Sequence, residues 1–194
     1  MAEVRDYNGV GDWSVAAIQT RYRYLAKKLR LSPRTLQPRE HAKGDTRWIY
    51  PLMEEVVAGI KEGDGACVEL GVQFIESGPP QPFGRALHSN TARALRRAAL
   101  NADQVLRLRS RILGMLSRSQ VPREYGDYAK LLRSIGLGED WLRTRAIVDE
   151  GHPHVMEHVR YFEAVLSRHP AVQQGLGRDN ARRCGPSPSS RASR

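Results

Sequence analysis

Four of the six histidines crowd one stretch near the end of the chain: His152, His154, His158 and His169. Within it, His154-Val155-Met156-Glu157-His158 sets two imidazoles four residues apart. On a helix they share a face, where they could hold one zinc ion with Glu157 as a general base. Such a site needs a third protein ligand. After Glu163 the sole acid is Asp179, and the upstream acids Asp149 and Glu150 would require a different arrangement. The expectation is therefore helix-flanking histidines with no metal and no cofactor. His154 and His158 remain the candidate ligands.

The order His-x-x-Glu-His also resembles the inverzincin metalloproteases. That resemblance implies a zinc-dependent hydrolase, the third of three functional readings. The Walker loop, the dinucleotide-binding glycine pattern, the Gly-x-Ser-x-Gly elbow and the Cys-x-x-Cys pair do not occur. The two cysteines, Cys67 and Cys184, read as unpaired.

Arginine supplies the second chemistry. The chain carries 31 Lys and Arg against 21 Asp and Glu, a net charge of +10. Such an excess suits a polyanion. Residues 13–38 hold no acid and six bases: Arg21, Arg23, Lys27, Lys28, Arg30 and Arg34. Residues 85–118 hold eight arginines and one acid, Asp103. There Arg93, Arg96 and Arg97 are spaced for one helix face, as are Arg107 and Arg111. A hairpin of the two helices would join them into one patch. A helix start at Ser89-Asn90-Thr91 would add free amides for a phosphate. Solvated helix faces are the plain alternative for all of these residues.

The run Leu25-Ala-Lys-Lys-Leu-Arg-Leu-Ser-Pro-Arg-Thr-Leu-Gln37 resembles the centre of AraC-like helix-turn-helix regulators. The resemblance covers 13 of 194 residues. It implies that Ser32 caps a recognition helix, that Leu36 packs on Leu25 and Leu29, and that Arg34, Thr35 and Gln37 face the major groove. Pro38 departs from the pattern and stops that helix near Leu36, because proline costs ~3 kcal/mol in a helix interior.

The elements that would position these residues read as all-α. A compact bundle of about eight helices is expected, with HEAT-like helix pairing as a variant. Residues 1–11 read as a flexible N-terminus, 12–172 as one helical domain and 173–194 as a disordered basic tail. Val15, Ile18, Tyr22, Leu25 and Leu29 draw the first apolar stripe. Further helices are expected over 47–61, 66–75, 90–99, 102–117, from Pro122 to Gly136, 139–148 and 153–167. Residues 38–46 and 77–84 read as connections. The apolar segment 66–75 suits helix or strand, and with no strand partner in view it reads as helix. No apolar run reaches the roughly 18–20 residues of a membrane span. With no apolar signal core at the start, a cytoplasmic protein is expected.

The leading functional expectation is a non-enzymatic nucleic-acid-binding accessory or regulatory protein, of DNA before RNA. Its contacts would be Arg21, Arg23, Lys27, Lys28, Arg30, Arg34, Arg93, Arg96, Arg97, Arg107 and Arg111. The alternative is a helical protein-interaction module, with an acidic protein as partner.

Overall fold

Three short strands, unannounced by any alternation of apolar residues, lie in the first fifty residues. In the computed structural model, which describes residues 3–78 and 82–169, β1 (Glu3–Asp6) pairs parallel to β3 (Thr46–Ile49). β2 (Glu40–Lys43) pairs antiparallel to β3, so the sheet order is β1-β3-β2. Residues 3–6 are thus a strand and not a loose end. Trp48, expected in a helix, lies in β3. Gly44, with φ of 58°, and Asp45 make the two-residue turn between β2 and β3, the left-handed position that glycine adopts without strain. Pro51 accounts for the late start of the next helix, since the residue before a proline is driven out of helical backbone.

The described residues hold eight α-helices, the first between β1 and β2 and the rest after β3. They are α1 (Val15–Lys28), α2 (Met53–Glu62), α3 (Gly65–Ser77), α4 (Gly84–Leu95), α5 (Ala102–Ser117), α6 (Tyr125–Ile135), α7 (Asp140–Ile147) and α8 (Pro153–Arg168). The expected bundle of about eight helices is therefore present, with the small sheet as a minor addition. The segment 66–75 is helical: the Asp64 carboxylate caps α3 by accepting from the amides of Ala66 (2.8 Å) and Cys67 (3.1 Å). Asn101 and Gln104 close a reciprocal capping box on α5. The helix expected at 90–99 begins earlier, at Gly84, so Ser89, Asn90 and Thr91 lie inside α4 and offer no free helix start.

Packing follows a regular rule. One layer is α1-α3-α5-α7 and the other is α2-α4-α6-α8, each helix lying against the next-but-one in sequence. Contacts α2·α3, α3·α4 and α5·α6 join the layers. This is the pattern of stacked helix pairs. The core lies between the layers and includes Ile18, Leu52, Ile60, Leu70, Phe74, Leu95, Ile112, Tyr125, Leu132 and Phe162. Two glycines permit the closest approaches. A Cβ on Gly59 would stand 2.4 Å from Cys67 Sγ, and one on Gly71 would stand 2.6 Å from Ile60 Cδ1. No helix of the described residues is long and apolar enough to cross a membrane. The expected tail, 173–194, lies outside the described residues.

Candidate nucleic-acid interface

α1 begins at Ser14, whose hydroxyl accepts from the Ala17 amide at 3.4 Å. Ile18, Tyr22, Leu25 and Ala26 are buried, on the side that packs on α3. Leu29, expected on the same stripe, is 46% exposed. The helix ends just before it. The Leu31 amide reaches the Ala26 carbonyl at 2.9 Å and the Arg30 amide reaches Lys27 at 3.1 Å. This paired closure puts Arg30 at φ 56°, where glycine is the usual occupant.

Arg23, Tyr24, Lys27, Lys28 and Arg30 are all exposed on this end of α1. Arg23 spends its Nε–H on the Gln19 carbonyl of its own helix, at 3.2 Å. No carboxylate among the described residues lies within ion-pair distance of Arg23, Lys27, Lys28 or Arg30.

Residues 31–39 form no helix. The expected recognition helix is absent, and with it the placement of Arg34, Thr35 and Gln37 along a groove. Prolines 33 and 38 push the residues before them toward extended backbone, and Arg30 has already turned the chain off the axis of α1. What remains is an extended strap tied down at three points. Gln19 Nε2 donates to the Leu36 carbonyl at 2.9 Å. Leu36 itself is buried, as expected from the sequence, though not from a helix. The Arg34 amide donates to Tyr22 Oη at 3.0 Å.

Tyr22 Oη in turn donates to Asp64 Oδ2 at 2.7 Å. One hydroxyl thus joins the strap, α1 and the cap of α3. Burial, with Asp64 nearby, pushes the Tyr22 hydroxyl up to about 12, against a lowering by the Arg34 amide. Cys67, buried beside this network, is pushed up to about 12 by burial and then by Asp64. It is a protonated core thiol, not a nucleophile. Between strap and helix lies an open cleft of about 320 Å³, walled by Arg23, Thr35 and Gln37 among others.

The other expected contact residues scatter. Arg21 stacks on Trp13, 4.3 Å from the ring centroid, and donates to the Asp12 carbonyl. Arg34 pairs with Glu62 of α2. Arg93 forks onto Asp127 of α6 at 3.1 and 3.0 Å. Arg107 is shared by Glu69, Glu76 and Asp103. Burial alone would raise the Glu69 carboxyl, but hydrogen bonds from Gln104, Arg107 and Gln73 outweigh it and hold it below its ordinary range. Arg111 donates to the Ile75 carbonyl at 3.3 Å. Arg96 is half-buried at the end of α4, and Arg97 is exposed just past it. Arg93 thus lies in the α4–α6 layer, and Arg107 and Arg111 in the α3–α5 layer. Of the arginines expected in one patch, Arg93 and Arg107 are each held by carboxylates.

No known protein family, curated protein or solved structure matches this chain.

The histidines serve α8. His152 caps it, its Nδ1 accepting from the Val155 amide at 3.4 Å. His154 is exposed, while His158 packs half-buried on Tyr125, with ring centroids 4.6 Å apart. Burial lowers the basicity of His158. Among the described residues, no three side chains of metal-binding type converge, so His154 and His158 have no third ligand there.

Two features escaped the sequence reading. The Asp64 cap bonds a tyrosine 42 residues away, which residue spacing does not reveal. Arg109, on the far side of α5, donates to the carbonyls of Gly136 (3.0 Å) and Ile135 (3.3 Å). An arginine count cannot tell such a clamp from a free charge.

Proposed function

We propose that the chain binds nucleic acid through its phosphate backbone, with Arg23, Lys27, Lys28 and Arg30 as the contacts. The supporting observation is the unbalanced charge at the end of α1. Of the eleven cations expected at the interface, Arg34, Arg93 and Arg107 are paired with carboxylates. Arg23, Lys27, Lys28 and Arg30 instead lie exposed within eight residues of each other in sequence, with no carboxylate partner among the described residues.

A helix C-terminus favours cations by roughly 0.3–1 kcal/mol, within its last turn. That accounts for Lys27 and Lys28. It does not account for Arg23, a turn earlier, or Arg30, past the end. Mutual repulsion of this kind is relieved by a bound polyanion. The strap carries no helix that could enter a major groove, so the reading is one of backbone contact without base-by-base readout.

The test is salt-dependent binding of labelled random duplex and single-stranded oligonucleotides. Four phosphate contacts correspond to a slope of log affinity against log salt of roughly −3 to −4. Absence of binding at low salt refutes the proposal. So does an unchanged slope when the four cations are replaced by glutamine.

A further inference from the structure

A second recess, of about 500 Å³, lies along the outer edge of α3 and α5. Its walls include Glu76, Leu106, Arg107, Ser110, Arg111 and Arg118. Two of the three guanidinium groups are seated by glycines. Arg111 lies over Gly78, where an added Cβ would stand 2.8 Å from its Nη2. Arg118 folds back over Gly114, where an added Cβ would stand 3.1 Å from its Nη1.

Within the described residues, each of these arginines donates only its Nε–H. Arg111 gives it to the Ile75 carbonyl and Arg118 to Gln120 Oε1, at 3.3 and 3.4 Å. No carboxylate among the described residues lies within ion-pair distance of either. Glu76, the acid in the wall, is already held by Arg107. Among the described residues the Nη–H groups of Arg111 and Arg118 meet no acceptor, and both residues line the recess with the exposed Ser110. Leu106, 54% exposed, stands at the same wall.

Planar forks with spare N–H pairs select oxyanions. The neighbouring charges decide which kind. Asp103, with 70% of its side chain exposed, and Glu76 flank the arginines. Arg107 holds both acids, so the charge left for a ligand is two discrete forks, which suit separate carboxylates better than a continuous string of phosphates. Leu106 offers an apolar contact that a phosphate backbone does not use. We infer that the α3–α5 recess docks an acidic amphipathic segment of another protein, its carboxylates on Arg111 and Arg118 and an apolar side chain on Leu106. This site is independent of the α1 cluster.

The test uses the full chain and a dye-labelled peptide of repeating Glu-Glu-Leu, with a Gln-Gln-Leu peptide as the uncharged control. The acidic peptide binds saturably and the control does not. Arg118→Gln and Ser110→Glu each weaken binding by roughly tenfold or more, the worth of a charge-assisted hydrogen bond. Neither substitution touches the Arg111–Ile75 bond, and unchanged melting curves confirm that the fold persists. Lys27→Gln with Lys28→Gln leaves peptide binding intact. The inference is overturned if the control binds equally, if both recess variants bind as the parent does, or if the α1 variant loses the peptide. It is also overturned if Arg118→Gln abolishes oligonucleotide binding instead.

Discussion

Tyr22 and Asp64, 42 residues apart, are joined by a 2.7 Å hydrogen bond in which the phenol donates and the carboxylate accepts. That carboxylate already caps α3, and the same phenol oxygen accepts from the Arg34 amide. Replacing the hydroxyl leaves a part-buried amide and a carboxylate lone pair unmet. Tyr22→Phe is expected to cost roughly 1–3 kcal/mol, read from urea unfolding at neutral pH.

The same group sets the alkaline limit. Tyr22 is raised from 10.0 to about 12 and Cys67 from 9.0 to about 12 in the folded state. The unfolded chain therefore loses these protons first. Stability is intact below about pH 9 and falls as pH climbs toward 12. Burial also raises Tyr125 and Tyr128, which add to the loss. Melting temperatures between pH 9 and 12 should fall less steeply in Tyr22→Phe than in the parent. Parallel curves would mean that Tyr22 does not titrate as described.

At the acid limit the sign reverses. Glu69 and Asp127 are held below their ordinary values: hydrogen bonds from Gln104 and Arg107 outweigh burial at the first, and Arg93 does so at the second. Their contribution is present above about pH 4.5, near the unfolded carboxyl value, and is lost as pH falls through the folded values. Glu69→Gln should lower stability at pH 7 and flatten the decline between about pH 5 and 2. An acid titration followed by circular dichroism reads both effects.

Arg30 separates folding from binding. Its left-handed backbone costs a side-chain-bearing residue roughly 1 kcal/mol more than glycine. Arg30→Gly should therefore raise the unfolding free energy by up to about 1 kcal/mol while weakening oligonucleotide binding and reducing the salt slope by about 1. A variant that melts higher and binds less tightly would assign the charge to a ligand and not to the fold.

Gly59 is held to its size by the α2–α3 crossing. Gly59→Ala places a methyl 2.4 Å from Cys67 Sγ. Such overpacking costs roughly 1–3 kcal/mol. Adding Cys67→Ala removes the sulfur and should recover part of the loss, a coupling that a double-mutant cycle measures directly.

Helical elements were legible in the sequence where caps and stripes coincide, as at Asp64 for α3, Asn101 for α5 and Pro153 for α8. The sheet was not. Glu40-His-Ala-Lys43 is exposed throughout, so it has no buried face to impose an apolar period of two, and its pairing rests on a Gly-Asp turn to β3, whose own parallel partner β1 lies 43 positions away. Leu25 to Gln37 misled in the opposite way. Its caps and leucines suit a second helix, and Leu36 is indeed buried, but the residue spacing does not reveal a strap tied by Gln19 and Tyr22. The charge excess was visible at once. Which cations pair, as Arg93 does with Asp127, depends on helices brought together by the layers and is not written in either segment alone.

The stacking rule has a mechanical consequence. Among the described residues, the helices in extensive contact lie no more than two helices apart along the chain, so α1 and α8 are joined mainly through what stands between them. An arrangement with only near-neighbour contacts is expected to fray from its ends. Pulled by its termini, it would yield in a staircase of small extensions, and a partner seated on α5 would brace the middle step while leaving the two ends free to give.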